Sequence, residues 1–294
     1  MSRRVNRWLL LDVNYLAYRA FHSTGNLQHR DNPTGVIFGV LSEALRVMER
    51  FQTKLVCWCF DYGQPLRAQL LPQYKSGRKK NRREKTEEEL LAYEAMKCQL
   101  ELMRTVLLRE IGFRNVFSEQ GYEADDIIAK ISQELPVPHE SIVVSSDQDL
   151  YQLISPTSMN WNPHKQQLRT EKSFIEEFGI TPKDWIKVKA IAGCSSDNIP
   201  GIPGVGEKTA IKYLRGVLNP KTVTYKRIHD EVEKNGDVFS ENEYLVELPF
   251  EDCPSFRRKV DKVTLKNWRS VMKRLGFKSL YNNAPVKGSF LYGN

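Results

Sequence analysis

Three short apolar runs along the chain each finish on an aspartate. Residues 8–11 (Trp-Leu-Leu-Leu) lead into Asp12, residues 55–60 (Leu-Val-Cys-Trp-Cys-Phe) into Asp61, and residues 142–144 (Ile-Val-Val) towards Asp147. A weaker strand signal at 115–117 precedes a second acidic group, Glu123-Ala124-Asp125-Asp126. Between them, residues 35–51 carry apolar side chains at helical spacing, and Thr86-Glu87-Glu88-Glu89 is a capping box that opens a long helix to about residue 109. Residues 13–21 read as a turn and helix, and residues 161–163 as a last strand and loop. Continuous apolar strands separated by helical crossovers predict an α/β fold with a mostly parallel central sheet buried on both faces.

Parallel strands point the same way, so their carboxyl ends share one edge of the sheet, where ligands of open α/β sheets bind. Asp12, Asp61, Glu123, Asp125, Asp126, Asp147 and Asp149 are thereby expected to meet in space. A cap or turn explains any single aspartate; it does not explain why the strand ends agree. Like charges gathered this way cost stability unless a cation neutralises them, and Mg²⁺ prefers oxygen ligands.

The chain carries 44 Lys and Arg against 36 Asp and Glu, a net charge of +8, which suggests a polyanionic partner. The excess is local: Arg67, Lys75, Arg78, Lys79, Lys80, Arg82, Arg83 and Lys85 face a single acid, Glu84. Alone, this stretch reads equally as a solvated linker or as a basic loop that, with Tyr74, holds a nucleic-acid strand. Next to a carboxylate cluster, it suggests a phosphate backbone laid over metal ions. Gly204-Val205-Gly206 with Lys208, opening a helix, is a helix-hairpin-helix signature for a duplex backbone, blind to base sequence. Thr181-Pro182-Lys183-Asp184 starts another helix, and residues 265–277 form a last amphipathic one. The five cysteines are scattered and Cys57 and Cys59 alternate within an apolar run, so buried strand thiols are expected, without a disulfide framework or zinc site. With no apolar run of membrane length and no signal-peptide core, a soluble cytoplasmic protein is expected.

Leu11-Asp12, Phe60-Asp61, 71–75 (Leu-Pro-Gln-Tyr-Lys), Glu123-Ala124-Asp125-Asp126, Ser146-Asp147-Gln148-Asp149 and 195–201 (Ser-Ser-Asp-Asn-Ile-Pro-Gly) resemble, in order, the motifs of the 5′-nuclease (flap endonuclease) family. The likeness is to its bacterial and bacteriophage branch, which includes the 5′-nuclease domain of DNA polymerase I, and it covers roughly residues 7–280. It implies a PIN-like core over 1–180 with a helical arch near 67–109, a helical duplex-binding region with a helix–three-turn–helix over 181–282, and a tail at 283–294. The implied reaction is hydrolysis of DNA at 5′ ends, flaps and junctions, with RNA–DNA hybrids as further substrates, using two Mg²⁺ or Mn²⁺ ions. The implied metal set is Asp12, Asp61, Glu123, Asp125, Asp126, Asp147, Asp149 and Asp197. Arg67 and Lys75 would contact the scissile phosphate, Tyr74 and Arg78 the strand, and Gly204, Gly206 and Lys208 the duplex. A monomer is implied, with replication proteins such as a single-strand-binding protein as further partners.

One position departs from the family pattern. Cys194 stands in Gly193-Cys194-Ser195-Ser196-Asp197 where relatives carry an aspartate, so a weakened second metal site is expected. A DNA-binding paralogue without turnover and a PIN-like ribonuclease are the competing readings.

Overall fold

The computed structural model describes residues 5–77, 86–234 and 236–286. Arg78, Lys79, Lys80, Arg82 and Arg83, the centre of the basic run, lie outside the described residues. The sheet has the order β3-β2-β1-β4-β5-β6, where β1 is Arg7–Asp12, β2 Val56–Cys59, β3 Val116–Phe117, β4 Glu140–Val144, β5 Ser158–Asn162 and β6 Gln167–Arg169. All neighbours pair in parallel except β6, which runs antiparallel to β5.

Alternation along the strands divides the core in two. Leu9, Leu11, Val56, Trp58, Ile142 and Val144 face one layer. This layer holds α1 (Val13–Thr24), α2 (Gly35–Arg50), α3 (Glu87–Leu102) and the C-terminal helix α10 (Leu265–Arg274). Leu10, Cys57, Cys59 and Val143 face the other, beneath α4 (Ala124–Gln133). Both strand thiols are fully buried, as expected. No turn separates β1 from α1, because Asp12 caps the helix by accepting the Tyr15 N–H at 2.9 Å.

The predicted capping box at Thr86 forms, with Thr86 and Glu89 each accepting the other's backbone N–H. Helical structure continues past α3 through a wide turn at Met103–Leu107 to Leu108–Ile111. α3 is tied to the core by Gln99, whose buried Oε1 accepts the Val36 and Ile37 N–H groups at the start of α2. Thr34 provides no side-chain cap there, so a residue 63 positions later satisfies those amides.

A third cluster is built from α5 (Glu171–Phe178), α6 (Asp184–Ala192), α7 (Glu207–Leu214), α8 (Val223–Glu233) and α9 (Asp237–Val246). After α9 the chain returns to the sheet. Leu248, Phe250, Cys253 and Phe256 join the α4 layer, and Trp268, Val271 and Met272 join the opposite one. Residues of the 248–286 stretch therefore pack on the two layers that flank the sheet. No described helix is long and apolar enough to cross a membrane.

Candidate active site

The register of the sheet places the acidic residues. Asp12 ends β1 level with Cys59 of β2, and Leu11 is level with Val144 of β4, so Asp12, Asp61 and Asp147 emerge at one edge. Glu123 and Asp125 reach the same edge from the start of α4. Asp61 is steadied by Asn14, whose Nδ2 donates to Oδ2 at 2.9 Å, and by the Ala124 N–H at 2.8 Å. Ser145 Oγ donates to Asp12 Oδ2 at 2.9 Å and accepts the Asp147 N–H at 3.1 Å, joining two strand ends.

Electrostatics records the convergence. Burial, then the nearby Asp61 charge, pushes Asp12 up to about 7. Burial, then Asp12 and Asp147, raises Asp125, and burial with Asp149 lifts Asp147 to about 6. Buried carboxylates gathered this closely resist ionising together, and positive charge would relieve the cost. Part of that charge is intramolecular. Lys75 Nζ lies 2.5 Å from Glu123 Oε1 and 3.8 Å from Asp197 Oδ2, while its backbone N–H donates to the Asp197 carbonyl at 2.9 Å. Lys75 adopts φ +54°, a left-handed conformation uncommon outside glycine, so the loop accepts strain to place this ammonium.

Three residues, Asp126, Arg67 and Tyr74, lie elsewhere than expected. Asp126 is fully buried and faces away from the edge: Arg67 grips it through two 2.8 Å bonds, and the Phe250 and Glu123 N–H groups donate to it at 2.8 and 3.1 Å. Its oxygens are consumed, so it is no metal ligand. Arg67, 3% exposed, also donates to the Leu245 and Glu247 carbonyls and cannot reach a substrate phosphate. Tyr74 is likewise buried, its hydroxyl donating to Glu123 Oε2 at 2.7 Å, so it orients a carboxylate and offers no face for base stacking.

A small cavity of about 20 Å³, room for one water, lies among Glu123, Asp125, Asp149 and Asp197, with Arg67, Tyr74 and apolar side chains completing its wall. Larger clefts of about 540 and 450 Å³ open around Trp8 and Leu55 at the amino ends of β1 and β2, away from this chemistry. Among the described residues, the one His, Cys, Asp or Glu triad with donor atoms all within 4.8 Å of one another is Asp149, Cys194 and Asp197.

Lys189 was not foreseen. On the buried face of α6 between Val188 and Ala190, its Nζ lies 3.0 Å from Asp149 Oδ1 and 2.9 Å from Glu207 Oε1, the first residue of α7. A lysine inside the apolar stretch of α6 was the available signal. Gly206 caps α7 and Gly204 has φ +79°; both are exposed, as is Lys208, on one helix start well suited to a phosphate.

Two family models cover most of the chain: the 5′-3′ exonuclease N-terminal resolvase-like domain matches residues 7–179, and the 5′-3′ exonuclease C-terminal SAM fold matches residues 180–251. The 5′-3′ exonuclease of Buchnera aphidicola subsp. Schizaphis graminum is 30% identical over 286 residues, 95% of this chain and 85% of that one. The thermostable DNA polymerase I of Thermus thermophilus is 32% identical over 212 residues, 71% of this chain but 24% of the polymerase. In fold, the chain is similar to the bacteriophage T5 flap endonuclease in a pseudo-enzyme–product complex with DNA and metal ions, with a TM-score of 0.68 at 20% identity, covering 93% of this chain and 96% of that one. A resolvase-like, PIN-type domain followed by a helical SAM fold, with acidic strand ends at one sheet edge, places the chain in the 5′-3′ exonuclease family.

Proposed function

We propose that the chain is a structure-specific 5′-nuclease that hydrolyses DNA phosphodiesters at 5′ ends, flaps and junctions with the help of divalent cations. The observation that carries this reading is the convergence of Asp12, Asp125 and Asp147 beside the Lys75 ammonium, each carboxyl pushed up first by burial and then by the neighbouring carboxylates.

Asp12, Asp61, Glu123, Asp125 and Asp147 offer only oxygen donors, the kind a hard ion such as Mg²⁺ or Mn²⁺ prefers, and would have to draw together to hold one. Asp149 and Asp197 stand at a second position beside Cys194. An ion bound at the carboxylate edge would supply a hydroxide at neutral pH and stabilise charge on the attacking and leaving oxygens. The chain's own groups do the rest. Lys75, at the edge beside Glu123, would offset negative charge on the phosphoryl oxygens of a bound strand. Tyr74 and Arg67 hold Glu123 from behind, at 2.7 and 3.6 Å. The amides at the start of α7 and Lys208 take the duplex backbone, fixing its position without reading bases.

A 5′-labelled flap duplex incubated with Mg²⁺ or Mn²⁺ tests the proposal. Metal-dependent cleavage near the junction is expected. Binding without cutting overturns it in favour of a non-catalytic paralogue, and preferential cutting of single-stranded RNA overturns it in favour of a ribonuclease.

A further inference from the structure

We propose that the corner formed by Asp149, Cys194 and Asp197 is a binding site for a thiophilic divalent cation of the zinc or cadmium class, and that it discriminates against Mg²⁺. This rests on reading the carboxylate edge as an ion-binding edge, and it concerns which ion this second position takes.

The donor set is the first argument. One Cys Sγ and two carboxylate oxygens lie within 4.8 Å of one another. A tetrahedral ion with bonds of about 2.0–2.3 Å sets its ligands roughly 3.3–3.8 Å apart, so small side-chain rotations close the set and leave a fourth position open. Mg²⁺ demands near-octahedral oxygen coordination and gains little from sulfur. The carboxylates towards β1 and β2 suit a hard ion; this corner does not.

The scaffold is the second. Cys194 sits in a two-stranded ribbon, Gly193–Cys194 against Ile199–Pro200, with Cys194 opposite Ile199. Gly193 holds φ +73°, and a Cβ there would lie 2.3 Å from the Gly201 nitrogen, so the backbone that aims the thiol tolerates no other residue. The Cys194 side chain is buried against Tyr74, Ile199, Leu245 and Val246, with Sγ 3.1 Å from Ser196 Oγ. Such a fixed thiol is held in place and would release its proton to solvent on binding a metal.

Charge is the third. Lys189 Nζ sits 3.0 Å from Asp149 Oδ1 and is shared with Glu207 at 2.9 Å. This ammonium already compensates Asp149, so an ion entering the corner must bring bond energy beyond bare attraction. A metal–thiolate bond provides it; a hydrated Mg²⁺ does not.

The test titrates Cd²⁺ into the full-length protein in a Cys98→Ser background, which removes the exposed thiol, and follows the ultraviolet thiolate-to-cadmium charge-transfer band. The expected result is a saturable band of one equivalent that survives a large excess of Mg²⁺. Cys194→Ser should abolish the band and weaken Cd²⁺ binding roughly tenfold to a hundredfold. Cys194→Asp should abolish it while tightening Mg²⁺ binding at the corner, read by calorimetry. A wild-type protein without the band, a band unchanged in Cys194→Ser, or a band erased by Mg²⁺ overturns the proposal. If those failures occur while Mg²⁺ or Mn²⁺ still binds the all-oxygen set, only the thiophilic corner falls. If no divalent ion binds either variant, the ion-binding reading of the whole edge falls with it.

Discussion

Arg67 and Asp126 form a buried, two-pronged ion pair, both bonds 2.8 Å long, between the segment that leads into the basic run and the third residue of the acidic helix α4. The arginine also donates to two backbone carbonyls at the end of α9, Leu245 and Glu247, so it joins three stretches of chain. Removing one partner of such a pair leaves an uncompensated buried charge. Arg67→Ala should therefore destabilise the fold by about 3–5 kcal/mol in denaturant melts. Arg67→Lys should also be clearly destabilised, because an ammonium cannot reproduce the fork. A stable, well-folded Arg67→Ala protein with lost cleavage would return this residue to the catalytic set.

Lys75→Ala removes the ammonium from the carboxylate edge and leaves Glu123 to Tyr74 and Arg67. Cleavage of a flap substrate should fall by roughly 10²–10³-fold with duplex affinity almost unchanged. A loss of less than about tenfold would show that Lys75 merely neutralises Glu123 in the resting protein.

Asp147→Asn keeps the shape of the strand end and deletes one charge. Cutting should be lost, by roughly two orders of magnitude or more, while flap binding persists in gel-shift measurements. Loss of binding instead would count against Asp147 as an ion ligand.

Stability should depend on pH and on divalent ions together. Asp12 and Asp147 are raised to about 7 and about 6 from 3.8, so the folded chain binds more protons than the unfolded one between these values. Without ions this contribution is full below about pH 4 and is lost as pH rises through about 7. In EDTA, melting temperature should carry a falling component between about pH 5 and about pH 8, and added Mg²⁺ should remove it. Identical profiles with and without Mg²⁺ would sink this expectation.

Lys208 is exposed at the start of α7. Lys208→Ala should weaken duplex binding alike for all sequences and lower the slope of log affinity against log salt by about one. An effect confined to particular sequences would rule out a backbone contact.

Much of this site was legible in the chain. Strand periodicity and the repeated terminal aspartate placed Asp12, Asp61 and Asp147 at one edge, because parallel strands leave little choice of side. Faces were harder. Asp125 and Asp126 are neighbours on a helix, so their side chains point about 100° apart, and only one can look into the cluster. Sequence alone offers no way to choose, and the choice depends on Phe250 and Arg67, respectively 124 and 59 positions away. Tyr74 was misread for a related reason: an aromatic beside lysine looks like a stacking platform until its hydroxyl is found on Glu123. Lys189 escaped notice because its partners come from α7 and the turn after β4.

The path of residues 248–263 has a practical outcome for anyone dividing this polypeptide. Phe250 N–H closes the shell around Asp126, Asn115 exchanges hydrogen bonds of 2.7 and 2.8 Å with Lys259, and Lys262 N–H donates to Gly112 at 2.7 Å. A fragment stopped at the boundary between the two halves would leave an aspartate uncovered beneath its own reaction centre and β3 without its outer lacing. The amino-terminal half is thus an unfinished object by itself, completed only when the last stretch of the protein has been made and threaded back across it.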